Sequence, residues 1–372
     1  MHRTGSATSP LHGGHCPPWL FTKMKELGAA IVEAMIVEYG TLEVLQRFSD
    51  PVWFQAFGST LGFDWHSSGL TTVVLGALKE GLAPKEHELG LYMAGGKGRT
   101  ARKTPTEIND KGSRFALANT STALIYASKM AAKVDSAAVQ DGYQLYHHVM
   151  LFDAEGHWAV IQQGMHNTNH MARRYHWLDR IPDTFTRHPH QAVVGAMTAE
   201  VFDLTESANW PIQDASLELS QYPDQVLQQL RHIEEHPDGH RDLLLPRFHA
   251  IPSSRHIDTI LRKVYEEANP KSFEDLLGLS GVGASTIRAL SMVAEVIHGT
   301  HPTFHDPVRY SFAHGGKDGF PYPVNRHNYD TSIATLRQAI ERARLQDHDK
   351  MQALKRLSSP NASALEQKPS PR

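Results

Sequence analysis

The chain has 372 residues, of which 40% are hydrophobic, and its 37 Lys and Arg against 40 Asp and Glu give a net charge of -3. This length suits two domains. The charge argues against a protein that coats nucleic acid non-specifically, so a binding surface needs local clusters of basic residues. The single cysteine, Cys16, excludes an internal disulfide framework and a Cys-rich zinc site. With no apolar run of membrane-spanning length and no signal-peptide pattern, we expect a cytoplasmic protein without a membrane partner.

Helices and one short strand are predicted before residue 95. Apolar residues recur at helical spacing over 19–39, from about Leu42 onward and again over 70–82. The run 89–94 has the composition of a short strand.

The stretch from Gly95 to Lys103 is the densest run of basic residues in the chain. Its cations are Lys97, Arg99, Arg102 and Lys103, and its glycines let backbone amides approach an anion. It lacks the full pattern of a nucleotide-binding P-loop. The stretch therefore predicts a contact with phosphate or nucleic-acid backbone, and a solvated loop is the alternative.

A β-hairpin is predicted where two apolar, β-rich segments, 143–152 and 157–163, flank a turn at 153–156. Polar residues interrupt both segments, among them Tyr146 and Gln162.

Carboxylates and imidazoles gather around the start of this hairpin, at Asp135, Asp141, His147 and His148. These residue types on rigidly held strands are typical of a divalent-metal site, and Asp135 and Asp141 are candidate catalytic carboxylates. A hairpin with one wet face and one buried face is the alternative.

Basic and aromatic residues stand together over 171–177, where Arg173 and Arg174 precede Tyr175 and Trp177. This combination suits contact with a nucleic-acid backbone and stacking on bases. It is also found on ordinary protein surfaces.

The segment 184–252 has a weak pattern with recurring Pro, His and Glu, in which 223–235 is the only good helix, and this predicts a linker region. We therefore expect an α+β fold, with a mixed N-terminal domain over 1–183 that carries the hairpin and an all-α domain over 253–345. Within that second domain, Lys317 lies in another glycine-rich stretch and is a candidate phosphate contact. The Ser/Pro-rich tail 346–372 is predicted to be disordered.

The second domain contains the most specific pattern in the chain. An amphipathic helix from Phe273 ends at the turn Gly281-Val-Gly283, and a second helix begins at once with Ser285 and Thr286. We expect both glycines to provide a positive φ and an approach without a Cβ atom, so that the turn amides and the helix N-terminus can hold a phosphate oxygen. Such a module holds nucleic-acid backbone without reading sequence. An ordinary connection between packed helices is the alternative.

Residues 270–316 resemble the helix-hairpin-helix DNA glycosylase superfamily, through the run Leu-Ser-Gly-Val-Gly-Ala-Ser-Thr, the helix after it, a Gly/Pro-containing loop and Asp306. The resemblance implies that Asp306 is the catalytic carboxylate for excision of a flipped base. Ser285 stands where bifunctional members have their Schiff-base lysine, so no lyase chemistry is implied there. As an alternative, Asp306 before Pro307 is a common start of a helix.

Phrases along nearly the whole chain resemble a bacterial and archaeal family catalogued as domain of unknown function 763, or DUF763. They include Ala94-Gly-Gly-Lys-Gly, Gln140-Asp-Gly-Tyr-Gln-Leu-Tyr-His-His148 and Ala313-His-Gly-Gly-Lys-Asp-Gly319. The resemblance implies no particular activity.

Together these features predict a DNA-binding protein of repair or processing, which excises bases as a hydrolase through its helix-hairpin-helix. Two alternatives stay open. One is a metal-dependent nuclease with its site in the N-terminal domain, and the other is a non-enzymatic DNA-binding protein.

Overall fold

A five-stranded antiparallel sheet with helices packed on both faces forms the centre of this mixed α+β fold. The computed structural model describes residues 16–62, 69–168, 170–180, 184–236 and 243–308, and the positions 334, 338, 340, 341, 350 and 351. Helices lie at α1 (Pro18–Ser49), α2 (Pro51–Thr60), α3 (Gly69–Leu82), α4 (Glu86–Leu89), α5 (Thr104–Arg114), α6 (Ala118–Lys133), α7 (Trp210–Leu219), α8 (Pro223–Glu235), α9 (Leu245–Phe248), α10 (Ser254–Lys263), α11 (Phe273–Gly278) and α12 (Ala284–His298). Strands lie at β1 (Leu91–Lys97), β2 (Val139–Gln140), β3 (Gln144–Asp153), β4 (Trp158–Met165), β5 (Ala172–Leu178), β6 (Ala192–Val194) and β7 (Phe202–Asp203).

The predicted β-hairpin is confirmed as β3 and β4, the central strands of a sheet with the order β1-β3-β4-β5-β6. Both strands are apolar on both sides because both faces of the sheet are covered. Met150 and Val160 belong to the core on one face, while Val149 and Ile161 belong to the core on the other. Among the described helices none is long and apolar enough to cross a membrane.

The two faces carry different sets of helices. The first three helices, α1 to α3, cover the face that contains Val149 and Ile161, and Phe54 and Phe57 of α2 are fully buried in this layer. The opposite face is covered by α6, α7, α8 and α10 to α12.

The segment 184–252 contains regular structure in place of the predicted linker. It holds β6, β7, α7 and α8, and its residues Phe202, Leu204 and Ile212 are buried in the core against the sheet. The helix predicted over 223–235 is confirmed as α8, whereas the strands β6 and β7 have only three and two residues and give no periodic pattern in the sequence. The predicted tail 346–372 lies outside the described residues except for two positions.

The turn between α11 and α12 differs from the prediction at one glycine. Gly281 has φ +89°, but Gly283 has φ -142°, an extended conformation that any residue can adopt. Lys133 of α6 stabilises the turn. Its ammonium donates hydrogen bonds to the carbonyl oxygen of Leu279, at 3.0 Å, and to that of Val282.

We expect the substitution Gly281→Ala to destabilise the protein by about 1–2 kcal/mol, the cost of a left-handed conformation for a residue with a Cβ atom. Gly283→Ala is the matched control, because a Cβ atom there meets nothing within 4 Å. Urea unfolding of the two variants measures the difference. Equal midpoints would show that the turn has no need of the positive φ.

Candidate functional site

A cavity of about 900 Å³ opens between β1's end, α6 and the start of β3. Its walls carry four cations, together with a serine, a histidine and a glutamine that are hydrogen-bonded in series. These residues are Arg99, Arg102, Lys129, Lys133, Ser128, His148 and Gln162.

The basic stretch is positioned by a close backbone approach. A Cβ atom at position 95 would lie 2.2 Å from the His148 carbonyl oxygen, so only glycine lets β1 pass β3 here. The Gly95 amide donates to Glu107 at 2.8 Å, and Lys79 donates to the Gly95 carbonyl oxygen at 2.7 Å. The Gly95 amide is therefore already hydrogen-bonded and is not available to bind an anion. The side chains after Gly95 provide the positive charge of the stretch.

The cavity is positively charged. Arg99, Arg102 and Lys129 are exposed, and within the described part of the chain none of them is paired with a carboxylate. Burial, and then the charge of Lys129, lowers the pKa of Lys133. Unpaired cations on the wall of a cavity favour an anionic ligand.

The other basic residues of the stretch lie beside the cavity. Lys97 is exposed at the end of β1, with its ammonium 6.0 Å from the ring centre of Tyr146. Lys103 is exposed at the end of a 3-10 helix over Gly98–Lys103. Both are available to an extended anion that runs past the cavity mouth.

A chain of hydrogen bonds leads from the cavity wall into the core. Ser128 Oγ lies 2.9 Å from His148 Nε2, and His148 Nδ1 lies 2.8 Å from Gln162 Oε1. Gln162 Nε2 donates to Asp135 Oδ2 at 2.5 Å. The Asp135 carboxylate also accepts from Trp177 at 2.9 Å and contacts His190 Nε2 at 2.5 Å.

Burial governs the charge states along this chain. It raises the pKa of Asp135, against the opposing effect of His190, and it lowers the pKa of His148. Burial therefore favours the neutral imidazole of His148, in which one ring nitrogen carries a proton and the other is an acceptor.

The four predicted metal ligands do not form one set. Successive strand residues point to opposite faces, so His148 pairs with Gln162 and His147 with Gln163, although both histidines line the cavity. Burial lowers the pKa of His147 to about 3, and neither of its ring nitrogens has a hydrogen-bond partner among the described residues.

Only one other group of described residues brings ligand atoms together. Asp153, Glu155 and His157, at the turn between β3 and β4, have ligand atoms within 4.8 Å of one another. The His157 ring contacts Asp153 directly at 3.0 Å.

Arg173 lies between two of the predicted carboxylates. It is fully buried and pairs with Asp141 at 3.0 Å and with Asp306 at 2.7 Å. Burial by itself would lower the pKa of Arg173, but these carboxylates raise it. Asp306 also accepts from the amides of Thr198 and Val308. Its carboxylate is thus occupied by donors, and its catalytic role stays a prediction from the sequence.

Arg173 and Arg174 are both inside the protein, in place of the predicted contact with nucleic acid. Arg174 is 4% exposed, and its Nε atom lies 2.8 Å from His176 Nε2. Burial lowers the pKa of Arg174 to about 9. The basic and aromatic cluster in the sequence is therefore a core feature of β5.

The remaining predicted contacts divide between exposed and buried positions. Gly281 and Ser285 are exposed, whereas Thr286 is 1% exposed and packs into the core. Lys317 lies outside the described residues. Sequence reasoning missed Ser128 and Lys129, because one serine and one lysine in a helical stretch carry no signal until their neighbours are known.

The sequence model of a family described as protein of unknown function (DUF763) matches residues 5–324, nearly the whole chain. No curated protein and no solved structure matches this chain.

Proposed function

Since the chain belongs to the DUF763 family, whose description names no activity, we propose a function from the site itself: the protein binds DNA backbone without sequence specificity, as part of DNA processing. The observation that carries this proposal is the cluster of unpaired cations around the cavity. Arg99, Arg102 and Lys129 are exposed there, and Lys97 and Lys103 extend the charge beyond the mouth.

The turn between α11 and α12 supports the same proposal. Lys133 lines the cavity and also holds the carbonyl oxygens of Leu279 and Val282. The basic stretch and the turn between α11 and α12, which the sequence indicates for phosphate contact, are therefore neighbours. One DNA backbone can reach both of them. We interpret α11, the turn and α12 as a helix-hairpin-helix, with Gly281 and Ser285 exposed on the side that meets the phosphate.

The size of the cavity also suits this ligand. About 900 Å³ is within the usual range of roughly 300–1,000 Å³ for small-molecule sites. A single nucleotide of a strand can enter such a space while the flanking phosphates stay on the basic rim. The proposed contacts are to phosphate and sugar, which position a backbone and read no sequence.

The salt dependence of duplex binding tests the proposal. We expect the triple variant R99Q/R102Q/K129Q to lower the slope of log affinity against log salt concentration by about 2–3, because each lost phosphate contact removes roughly 0.9 from the slope. The control is K23Q/K25Q/K85Q, which also removes three positive charges, two from α1 and one from the turn before α4. In that control each lysine is paired with a glutamate.

A control variant with the wild-type slope, beside a cavity variant with a reduced one, would support the proposal. Equal slopes for the wild type and the cavity variant would overturn it. Tighter binding to RNA than to DNA at matched length would assign the surface to RNA instead.

A second test addresses the turn. We expect Gly283→Leu to fold normally, because a Cβ atom there meets nothing within 4 Å and the φ is ordinary. We expect it to weaken duplex binding by roughly tenfold, because the side chain blocks one hydrogen bond to a charged phosphate. The factor should be the same for duplexes of unrelated sequence. Fluorescence anisotropy measures the affinity for each duplex. Unchanged affinity in the folded variant would show that the turn only connects two helices and does not contact DNA.

A further inference from the structure

We propose that Ser128 is the nucleophile, and His148 its general base, of a phosphodiester-cleaving centre in the basic cavity. Gln162 and Asp135 are positioning residues, which hold the His148 ring through hydrogen bonds. This inference rests on the proposed function for its substrate, the DNA backbone, but it adds a reaction and the residues that perform it.

The hydrogen-bond directions determine the tautomer of His148. Asp135 Oδ2 accepts from the Trp177 indole and from the Gln162 amide nitrogen, two N–H groups that can only donate. The opposite end of that amide is then Oε1, and it accepts from His148 Nδ1 at 2.8 Å. With its proton on Nδ1, the neutral ring has an open lone pair on Nε2.

That lone pair faces a hydroxyl group. Ser128 Oγ lies 2.9 Å from His148 Nε2, so the serine donates its proton to the nitrogen that a general base uses. A nucleophile and a base within hydrogen-bond reach, with the base oriented by a third group, is the arrangement of serine hydrolases. Here an amide stands between the imidazole and the carboxylate.

The location favours a phosphate over an acyl group. Ser128 and His148 line the same cavity as Arg99, Arg102 and Lys129. Cations around a transferring phosphoryl group stabilise the charge that develops on its oxygens. A purely structural role for the pair, in which Ser128 merely satisfies a buried nitrogen, gives no reason for it to lie on the wall of a cationic cavity.

The reaction has two steps. In the first, Ser128 Oγ attacks phosphorus and His148 Nε2 takes the hydroxyl proton, while the bond from phosphorus to the ester oxygen breaks on the opposite side, where the leaving oxygen takes a proton from a water molecule. In the second, the hydroxide formed from that water attacks phosphorus from the side that the alcohol has left. The bond from phosphorus to Oγ then breaks, and His148 returns its proton to Oγ. The products are an alcohol and a phosphomonoester, and water is the only other reactant.

The first experiment is covalent capture. The full chain is incubated with a fluorophosphonate, which transfers its phosphonyl group to an activated serine with loss of fluoride, and the adduct is located by peptide mass spectrometry. We expect labelling at Ser128 that is lost in Ser128→Ala and in His148→Asn. Ser136→Ala is the matched control, because Ser136 lines the same cavity but donates to the Ala132 carbonyl oxygen.

The second experiment follows end-labelled DNA in the presence of EDTA, with duplex affinity measured in parallel. We expect cleavage to fall at least a hundredfold in Ser128→Ala, as when a nucleophile of this kind is removed, while affinity stays within twofold. Gln162→Met should reduce cleavage and also shift the nitrogen NMR signals of His148 toward a mixture of tautomers, which a merely structural residue would not do.

The outcomes separate the two proposals. Normal duplex affinity without labelling or cleavage would overturn the catalytic centre and leave the proposed function standing. Labelling at Ser128 without any affinity for nucleic acid would overturn the assignment of the substrate. If Ser128→Ala does not fold, Ser128→Thr, which keeps the hydroxyl and adds one methyl group, should label at a rate at least tenfold lower, and an unchanged rate would overturn the role of this hydroxyl.

Discussion

Replacement of Arg173 by Met is expected to lower the free energy of unfolding by roughly 3–5 kcal/mol, the usual cost of leaving a buried charge without its partner. Arg173 is fully buried, and its guanidinium contacts Asp141 at 3.0 Å, Asp306 at 2.7 Å and the Ala196 carbonyl oxygen at 2.8 Å. Methionine fills the space of the side chain but strands both carboxylates in the core. Urea unfolding measures the loss.

The pH dependence of that loss gives a further check. Without the cation, burial keeps the folded-state pKa of Asp141 raised above its unfolded value, as it already is in the wild type. A carboxyl group with a raised folded pKa destabilises the protein as pH rises above its unfolded pKa, and the penalty disappears in acid. The variant should therefore be closer to the wild type at pH 4 than at pH 8.

Arg262→Met is the control for this prediction. Arg262 also pairs with two aspartates, Asp224 and Asp258, but the guanidinium is exposed on α10. Because solvent screens such pairs, this variant should unfold at the wild-type urea concentration. If Arg173→Met also unfolded at the wild-type urea concentration, Arg173 would stabilise the protein only by filling space, which methionine does as well.

Asp135→Ala is expected to cost roughly 3–5 kcal/mol for a different reason. The Asp135 carboxylate is fully buried and is the hydrogen-bond partner of Trp177, Gln162 and His190. Its removal leaves buried donors unsatisfied, each at roughly 1–3 kcal/mol. Asp214→Ala, at an exposed position of α7, should leave the unfolding midpoint nearly unchanged.

The same variant distinguishes the metal-ligand role that the sequence suggests for Asp135 from the positioning role that we propose from the structure. A positioning role requires no metal, so EDTA should leave the unfolding midpoint of the wild type unchanged. If EDTA lowered that midpoint in the wild type but not in Asp135→Ala, Asp135 would be a metal ligand.

Local elements were predictable because their causes are close together in the sequence. The β3 and β4 hairpin follows from a turn of four residues between two apolar segments. Helix α11 begins at the capping box of Ser272 and Asp275, and the turn after it follows from the positive φ of Gly281. Apart from α8, the elements of 184–252 were not predicted, because they are short and are stabilised by burial against the sheet.

By itself, the sequence determined the hairpin, the basic stretch after β1 and the mixed α+β composition, since turn chemistry and periodicity act over a few residues. Only the tertiary structure decided which charges are available. In the sequence, Arg173 has the pattern of a surface cation. In the fold it pairs with Asp141 and Asp306, which are 32 and 133 residues away in the chain. Ser128 and His148, 20 residues apart, become a pair only because α6 packs across the start of β3. Burial and long-range pairing depend on the fold as a whole, so no local pattern contains them.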